Sequence, residues 1–443
     1  MHFDILVKDC TLMLPEIDFA HHMSIGIKDG LIAKIAPAAQ MEDDTADQSL
    51  DGRGKAMLPG LVDGHTHTCQ QLLRGRTADE YPMIWTRFLV PFESNLTPEE
   101  SYISAQLCCL EMIKNGTTSF ADAGGVHMDH VAEAVIESGM RGVLTNSTMD
   151  MGNAIVGAMK ATTEECVKNT QKLYADYHGK GDGRVEVFFG MRQVMTCSPT
   201  LIQDTAAAAK ELNTGIHAHL CEHRDEVSFC LQNYGMRPAE FLGEMGMLGP
   251  NLLTAHNVAL SEHDITLMAQ NDVKVIHCPI ANLTNHGFPK TPRLLEAGLS
   301  IGLGCDGASR HNLNLFDEMK ALRVGTIAYW GLPVFDPVVL RAQQVLKMAT
   351  FGGANAIGHG HDLGCVEVGK KADVILVNIN QPHLWPNQNL AATLSDCADG
   401  HDVTDSIIAG KLVMKDRKVL TLDEEKILSE AHTAMNNIVA RVY

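Results

Sequence analysis

Between residues 58 and 357 one pattern recurs: a short apolar run, a polar residue closing it, then a helix-like stretch. The apolar runs are, in order, LPGLVDGHTH, TTSFADAG, RGVLTNS, VEVFFGM, GIHAHL, NLLTAH, VKVIHC and LSIGLGCD. Among the intervening stretches are SYISAQLCCLEMIKNG (101–116), PTLIQDTAAAAKELNTG (199–215) and EHDITLMAQND (262–272). Gly116 and Gly215 sit where glycine commonly ends a helix. Eight strands alternating with helices predict an α/β chain of the (β/α)8, TIM-barrel type. An open, doubly wound sheet gives similar alternation, so periodicity alone leaves both open.

The closing residues separate the two. The first run ends in His65-Thr66-His67, the fourth near Arg192, the fifth in His217-Ala218-His219, the sixth in His256, the seventh in His277 and the eighth in Asp306. A barrel gathers catalytic groups from the C-terminal ends of many strands, whereas an open sheet binds ligands only at its switch point. His65 and His67 are two apart, so both point to one side of a strand, as two ligands of one metal would. His217 is expected to face away from His219 and to pack. His127, His130, His359 and His361 are expected on surface loops.

Both chain ends read differently. FDILVKDCTLML, HMSIGIKDG and LIAKIAP, punctuated by Asp29-Gly30, suggest hairpins, and ADVILVNI (372–379) and DSIIAGKLVMKDRKVL (405–420) have the same character. Residues 1–57 and 358–443 are therefore predicted to form one discontinuous β-sandwich domain beside a catalytic barrel of residues 58–357.

Composition narrows the partners. Lys and Arg number 35 against 54 Asp and Glu, a net charge of −19 that disfavours nucleic acid and anionic membranes. The opening MHFDILVKDC lacks an apolar signal core, and no apolar run is long enough to span a bilayer. Twelve cysteines without a Cys-x-x-Cys pair read as the reduced thiols of a cytoplasmic protein.

Pro59-Gly60-Leu61-Val62-Asp63-Gly64-His65-Thr66-His67 resembles the first-strand signature of the amidohydrolase superfamily. His219-Leu220-Cys221-Glu222 is similar to the fifth-strand His-x-x-Glu of its nucleobase-deaminase and chlorohydrolase branch, and Thr254-Ala255-His256 to the sixth-strand histidine. Gly302-Leu303-Gly304-Cys305-Asp306-Gly307 resembles the eighth-strand Gly-Thr-Asp-Gly, with Cys305 in place of the usual Thr. Ala349-Thr350 through Gly353-Ala354, then Gly369-Lys370-Lys371-Ala372-Asp373, is similar to the return into the small β domain.

The resemblance implies one divalent metal on His65, His67, His219 and Asp306, a three-nitrogen, one-oxygen set that suits zinc and tolerates iron. Relatives with two ions bridge them through a fourth-strand lysine or glutamate. Here VEVFFGM offers only Glu186, near its start, which favours a single ion. By the same resemblance Asp306 takes the proton of the attacking water, Glu222 carries it to a ring nitrogen and the leaving amine, and His256 orients the water. His277 either tunes the site or bonds within the barrel. A homodimer or larger assembly is also implied.

For the substrate the resemblances divide. Gln70 is similar to a glutamine that contacts the heterocycle in guanine deaminases and triazine hydrolases. Arg192 stands where deaminases of S-adenosylhomocysteine and methylthioadenosine carry a histidine, and its guanidinium suits a carbonyl oxygen. Leu72-Leu73-Arg74-Gly75 through Trp85 and Phe88 resembles the adenosylhomocysteine and triazine groups, and Glu93 falls at a ribose-binding glutamate. The expected reaction is hydrolytic deamination of an amino-substituted N-heterocycle. An oxo-purine or pterin-like base is the first reading, an adenosine derivative the alternative, and dechlorinating or ring-opening hydrolysis a third.

Overall fold

A computed structural model describes residues 1–80, 83–152 and 155–443. The N-terminal strands are β1 (His2–Met13), β2 (Phe19–Lys28), β3 (Leu31–Pro37), β4 (Thr45–Asp51) and β5 (Lys55–Pro59). A single residue, Gly60, separates β5 from β6 (Leu61–Thr66), the first strand of a second sheet. A Cβ on Gly60 would lie 2.0 Å from the Thr118 hydroxyl, so the crossing from one sheet to the other needs glycine.

The second sheet continues through β7 (Thr117–Asp122), β8 (Arg141–Leu144), β9 (Val185–Val187), β10 (Phe189–Met191), β11 (Ile216–Leu220), β12 (Leu252–His256), β13 (Lys274–His277) and β14 (Ile301–Leu303). All its pairings are parallel, and its order is β10-β11-β12-β13-β14-β6-β7-β8-β9. That order follows the chain without the reversal a doubly wound sheet requires. Only Phe188 parts β9 from β10, so one run pairs with β8 on one side and β11 on the other. Every residue of β6, β7, β11 and β12 is buried, as expected for parallel strands covered on both faces.

The chain then returns to the first sheet as β15 (Val374–Asn378), β16 (Val403–Ile408), β17 (Lys411–Lys415) and β18 (Lys418–Val419). The order β18-β17-β16-β15-β5-β1-β2-β3, with β4 also on β1, makes one nine-stranded hydrogen-bonded sheet from both chain ends. Three of its hairpins use paired left-handed residues: Asp29-Gly30, Ala409-Gly410 and Asp416-Arg417. Such turns match the right-handed twist of the flanking strands.

Two expectations need correction. The stretch 199–215 is helical only over Pro199–Glu211, where Asn213 (φ 50°) takes the left-handed position after the helix. Gly215 is glycine for packing, because a Cβ there would fall 2.3 Å from the Phe188 ring. The C-terminal end is also not uniformly β-rich. Glu424–Val442 is a helix whose Ile427, Ala431, Ala434 and Ile438 are buried at helical spacing. Glu424 pairs with Lys114 at 2.6 Å, at the end of the helix Pro98–Lys114. The two sheets are clasped by Arg141, whose guanidinium donates to both carboxylate oxygens of Asp373 at 2.6 and 3.1 Å, with both side chains buried.

Candidate active site

At the C-terminal ends of β6, β11 and β14 four side chains converge. His67 Nε2 lies 3.3 Å from His219 Nε2, and Asp306 Oδ1 lies 3.5 Å from His67 Nε2 and 3.6 Å from His65 Nε2. A tetrahedral ion with bonds of about 2.0–2.1 Å holds its ligand atoms about 3.3–3.4 Å apart, so these spacings fit such an ion. His65 Nδ1 is engaged by His217 Nε2 at 2.8 Å, which leaves Nε2 buried and without a hydrogen-bond partner. Burial pulls His67 and His219 well below ordinary imidazole values, so both present a neutral lone pair. Burial opposes ionisation of Asp306, but His65 and the other surrounding histidines outweigh this and hold its carboxyl well below the usual range.

The local backbone aims these groups. Cys221, His256, Asn257 and Asp306, all non-glycine, have φ of 50°, 73°, 58° and 62°. This left-handed conformation is costly for such residues and is found where strand ends turn sharply at functional sites. Asp306 N donates to His65 O at 2.8 Å, and Thr66 Oγ1 donates to Asp306 O at 3.1 Å. Beneath them Asp63 Oδ1 accepts from both His65 N and Cys305 N, at 3.1 and 3.2 Å, so one carboxylate ties β6 to the residue before Asp306. Burial pushes Asp63 up to about 7.

Glu222 stands beside this cluster. Its Oε1 lies 3.9 Å from His256 Nε2 and 3.1 Å from His286 Nε2, and its Oε2 accepts from Gln193 Nε2 at 2.7 Å. Burial raises its pKa, yet His256 and the hydrogen bond to His286 outweigh that and keep the carboxyl below its ordinary value. His256 Nδ1 meets Asn282 Nδ2 at 3.0 Å, and burial brings His256 down to about 4. His277 Nδ1 contacts His256 O at 3.1 Å, so His277 buttresses the His256 backbone.

A second buried group joins three residues read as substrate contacts. Glu93, fully buried, accepts from Gln70 Nε2 at 2.6 Å and from Arg192 Nη1 at 3.4 Å. Gln70 therefore commits one N–H to Glu93, and its Oε1 would lie 1.7 Å from a Cβ on Gly307, so the amide packs directly on the strand-end glycine. Trp85 lies on a short π-helical turn, Trp85–Leu89, partly buried against the core. No hydrogen bond, ion pair or ring contact joins it to the other candidate residues among the described residues.

His217 is corrected. Residues two apart share a strand face, so His217 turns to the same side as His219 and reaches His65. His359 is not a surface residue either: its Nε2 meets Glu186 Oε1 at 2.7 Å and its Nδ1 meets Asp362 Oδ1 at 2.9 Å, with the side chain 14% exposed. His127 is half-buried and bonds Leu96 O at 3.0 Å. His286, Gln193 and Asn282 escaped the sequence reading because they sit beyond the strand ends. The nearest signals were Gln193 following Arg192 and Asn282 following Cys278-Pro279.

Residues 56–413 match the amidohydrolase family. Over 439 residues, 98% of each chain, the protein is 35% identical to a 5′-deoxyadenosine deaminase of Methanobrevibacter smithii. Over 397 residues, 89% of this chain and 88% of the other, it is 39% identical to a 5-methylthioadenosine/S-adenosylhomocysteine deaminase of Pelotomaculum thermopropionicum. An adenosine deaminase from Xanthomonas campestris, solved with bound zinc, superposes with a TM-score of 0.93 over 99% of both chains at 27% identity.

Proposed function

Since the chain belongs to the amidohydrolase family and is a hydrolase of C–N bonds, we propose that it deaminates adenosine derivatives of the 5′-deoxyadenosine and methylthioadenosine type, releasing ammonia. The observation that carries the substrate class is Glu93. It is a fully buried carboxylate held by Gln70 and Arg192 close to the histidine cluster. A carboxylate accepts hydrogen bonds from vicinal ribose hydroxyls, which a free base does not offer. The relatives fit this alternative better than the oxo-purine or pterin-like base read first from Arg192, whose guanidinium is turned to Glu93. Gln70 becomes a positioning residue for Glu93.

His65, His67, His219 and Asp306 would hold one divalent metal, zinc first and iron second. Such an ion supplies a Lewis acid that brings the pKa of water from 15.7 to about 7. Glu222, ionised and paired with His286 and Gln193, carries two protons in turn: the first of the attacking water, taken up by way of Asp306, to the ring nitrogen, and the second, from the hydroxyl so formed, to the amine, which departs as ammonia. His256, with Nδ1 occupied by Asn282, directs Nε2–H toward the attacking oxygen. Asp306 receives the first proton of the water. We also read the parallel sheet as a closed (β/α)8 barrel, which the pairing of both halves of residues 185–191 supports. Residues 1–57 and 358–443 are read as one composite domain, which the β5–β15 ladder supports, although the helix Glu424–Val442 packs against the helix Pro98–Lys114.

The test is ammonia release from 5′-deoxyadenosine, methylthioadenosine, S-adenosylhomocysteine, adenine, guanine and a pterin. The nucleosides should exceed adenine in kcat/KM by about 100-fold, the worth of roughly 3 kcal/mol of ribose contacts. Faster turnover of guanine or the pterin overturns the proposal.

A further inference from the structure

Glu222 is held from two sides. Gln193 Nε2 donates to its Oε2 at 2.7 Å, and His286 Nε2 lies 3.1 Å from its Oε1. Oε1 is also the oxygen 3.9 Å from His256 Nε2, so it is the one that faces the histidine cluster. A glutamate side chain turns about several bonds, and a single contact on Oε2 leaves the carboxylate able to swing about that point. His286 removes this freedom at the oxygen nearer the chemistry. Precision matters there, because misplacing a reacting group by about 1 Å can cost about 100-fold in rate.

His286 is itself anchored. It follows the helix Pro279–Asn285, and its N–H donates to Asn282 O at 2.9 Å. At the start of that helix Ile280 N donates to the buried Glu318 Oε2 at 2.9 Å. At its end Arg310 Nη1 donates to Asn285 Oδ1 at 2.6 Å. The His223 ring lies beside that of His286, with centroids 5.3 Å apart. Asn282 and His286 stand four residues apart, one helical turn, and Asn282 meets His256 Nδ1 at 3.0 Å. One short element therefore touches both side chains that handle protons.

We propose that His286 is a positioning residue for Glu222, doing for that carboxylate what Asn282 does for His256. This rests on the reading of Glu222 as the proton carrier.

Steady-state kinetics of the full chain after zinc supplementation test it, on whichever substrate the unaltered enzyme turns over fastest. Asparagine and glutamine carry the same amide, but only glutamine is long enough to bring an N–H to where His286 Nε2 stands. His286→Asn should lower kcat by about 10-fold or more with KM within about twofold, whereas His286→Gln should keep kcat within about threefold. Both should retain their metal and the native far-ultraviolet circular dichroism spectrum, since the side chain is 26% exposed and tolerates a polar replacement. In a Glu222→Gln background, His286→Asn should cost less than about twofold more, because nothing remains for it to position. A smaller loss in His286→Asn overturns the proposal, as does an equal loss in His286→Gln or a loss taken in KM. Lost metal, a lost native spectrum or an undiminished effect in the Glu222→Gln background overturns it too. If Glu222→Gln alone keeps full kcat, the proton-carrier reading falls and takes the proposal with it. The substrate reading fails separately, in the unaltered enzyme, if guanine or a pterin is turned over fastest.

Discussion

Asn282 decides which nitrogen of His256 carries the proton. Its Oδ1 accepts from Cys278 N at 3.3 Å, so its amide presents NH2 to His256 Nδ1, and Nε2 keeps the hydrogen. Asn282→Ala should lower kcat by about 10–100-fold, as removal of such an orienting partner does, with metal content unchanged by plasma emission. Glu222→Gln should lower kcat by roughly 10²–10⁴-fold, again with metal retained. Glu93→Gln should act on binding, raising KM for 5′-deoxyadenosine by about 10-fold or more while the metal content stays fixed, because a charged hydrogen bond is worth about 1.5–3 kcal/mol. At this scale the strand-end residues were legible, since each closes an apolar run. His286 and Asn282 were not, because they approach Glu222 and His256 from the segment after β13, through contacts no local spacing encodes.

The helix Pro98–Lys114 shows how much of an element is written locally. Thr97 and Glu100 form a reciprocal capping box, Pro98 occupies the first turn, and Gly116 (φ 84°) follows the end. Thr97→Ala should cost about 1 kcal/mol, read as a lowered urea midpoint at constant slope. The C-terminal helix was equally legible from Asp423-Glu424-Glu425 and its apolar spacing, but the hairpins before it drew that end into a β reading. Gly215 illustrates the opposite limit. A glycine near a helix end suggests a cap, yet here the Phe188 ring from the neighbouring run requires it. Gly116 and Gly215 look alike in sequence, and only packing tells them apart.

Across the whole molecule, two pairs join distant parts of the chain. Arg141 and Asp373 are both buried and doubly bonded, so Arg141→Ala leaves an uncompensated carboxylate and should cost about 3–5 kcal/mol in denaturant melts. His359 and Glu186 give a pH signature. Burial disfavours the charge on each, but their mutual hydrogen bond outweighs it, raising His359 above its ordinary 6.5 and lowering Glu186 below its ordinary 4.5. The pair's contribution is lost as pH rises through the raised value of His359, and also as pH falls through the lowered value of Glu186. His359→Gln should therefore destabilise the protein more at about pH 6 than at about pH 9, measured by urea unfolding at both.

The alternation of apolar runs and helices, the residues closing each run and the net charge of −19 were determined by sequence alone, because periodicity, turn chemistry and charge are local or additive properties. From them came the α/β class and the placing of His65, His67, His219 and Asp306 at strand ends, while the resemblance to the amidohydrolases implied that these four share one metal. Only the tertiary structure decided that Gln70 and Arg192 converge on Glu93, that His286 reaches Glu222, and that β1 and β15 belong to one sheet. Those contacts join residues tens to hundreds of positions apart, and the packing that brings them together depends on the folded chain as a whole.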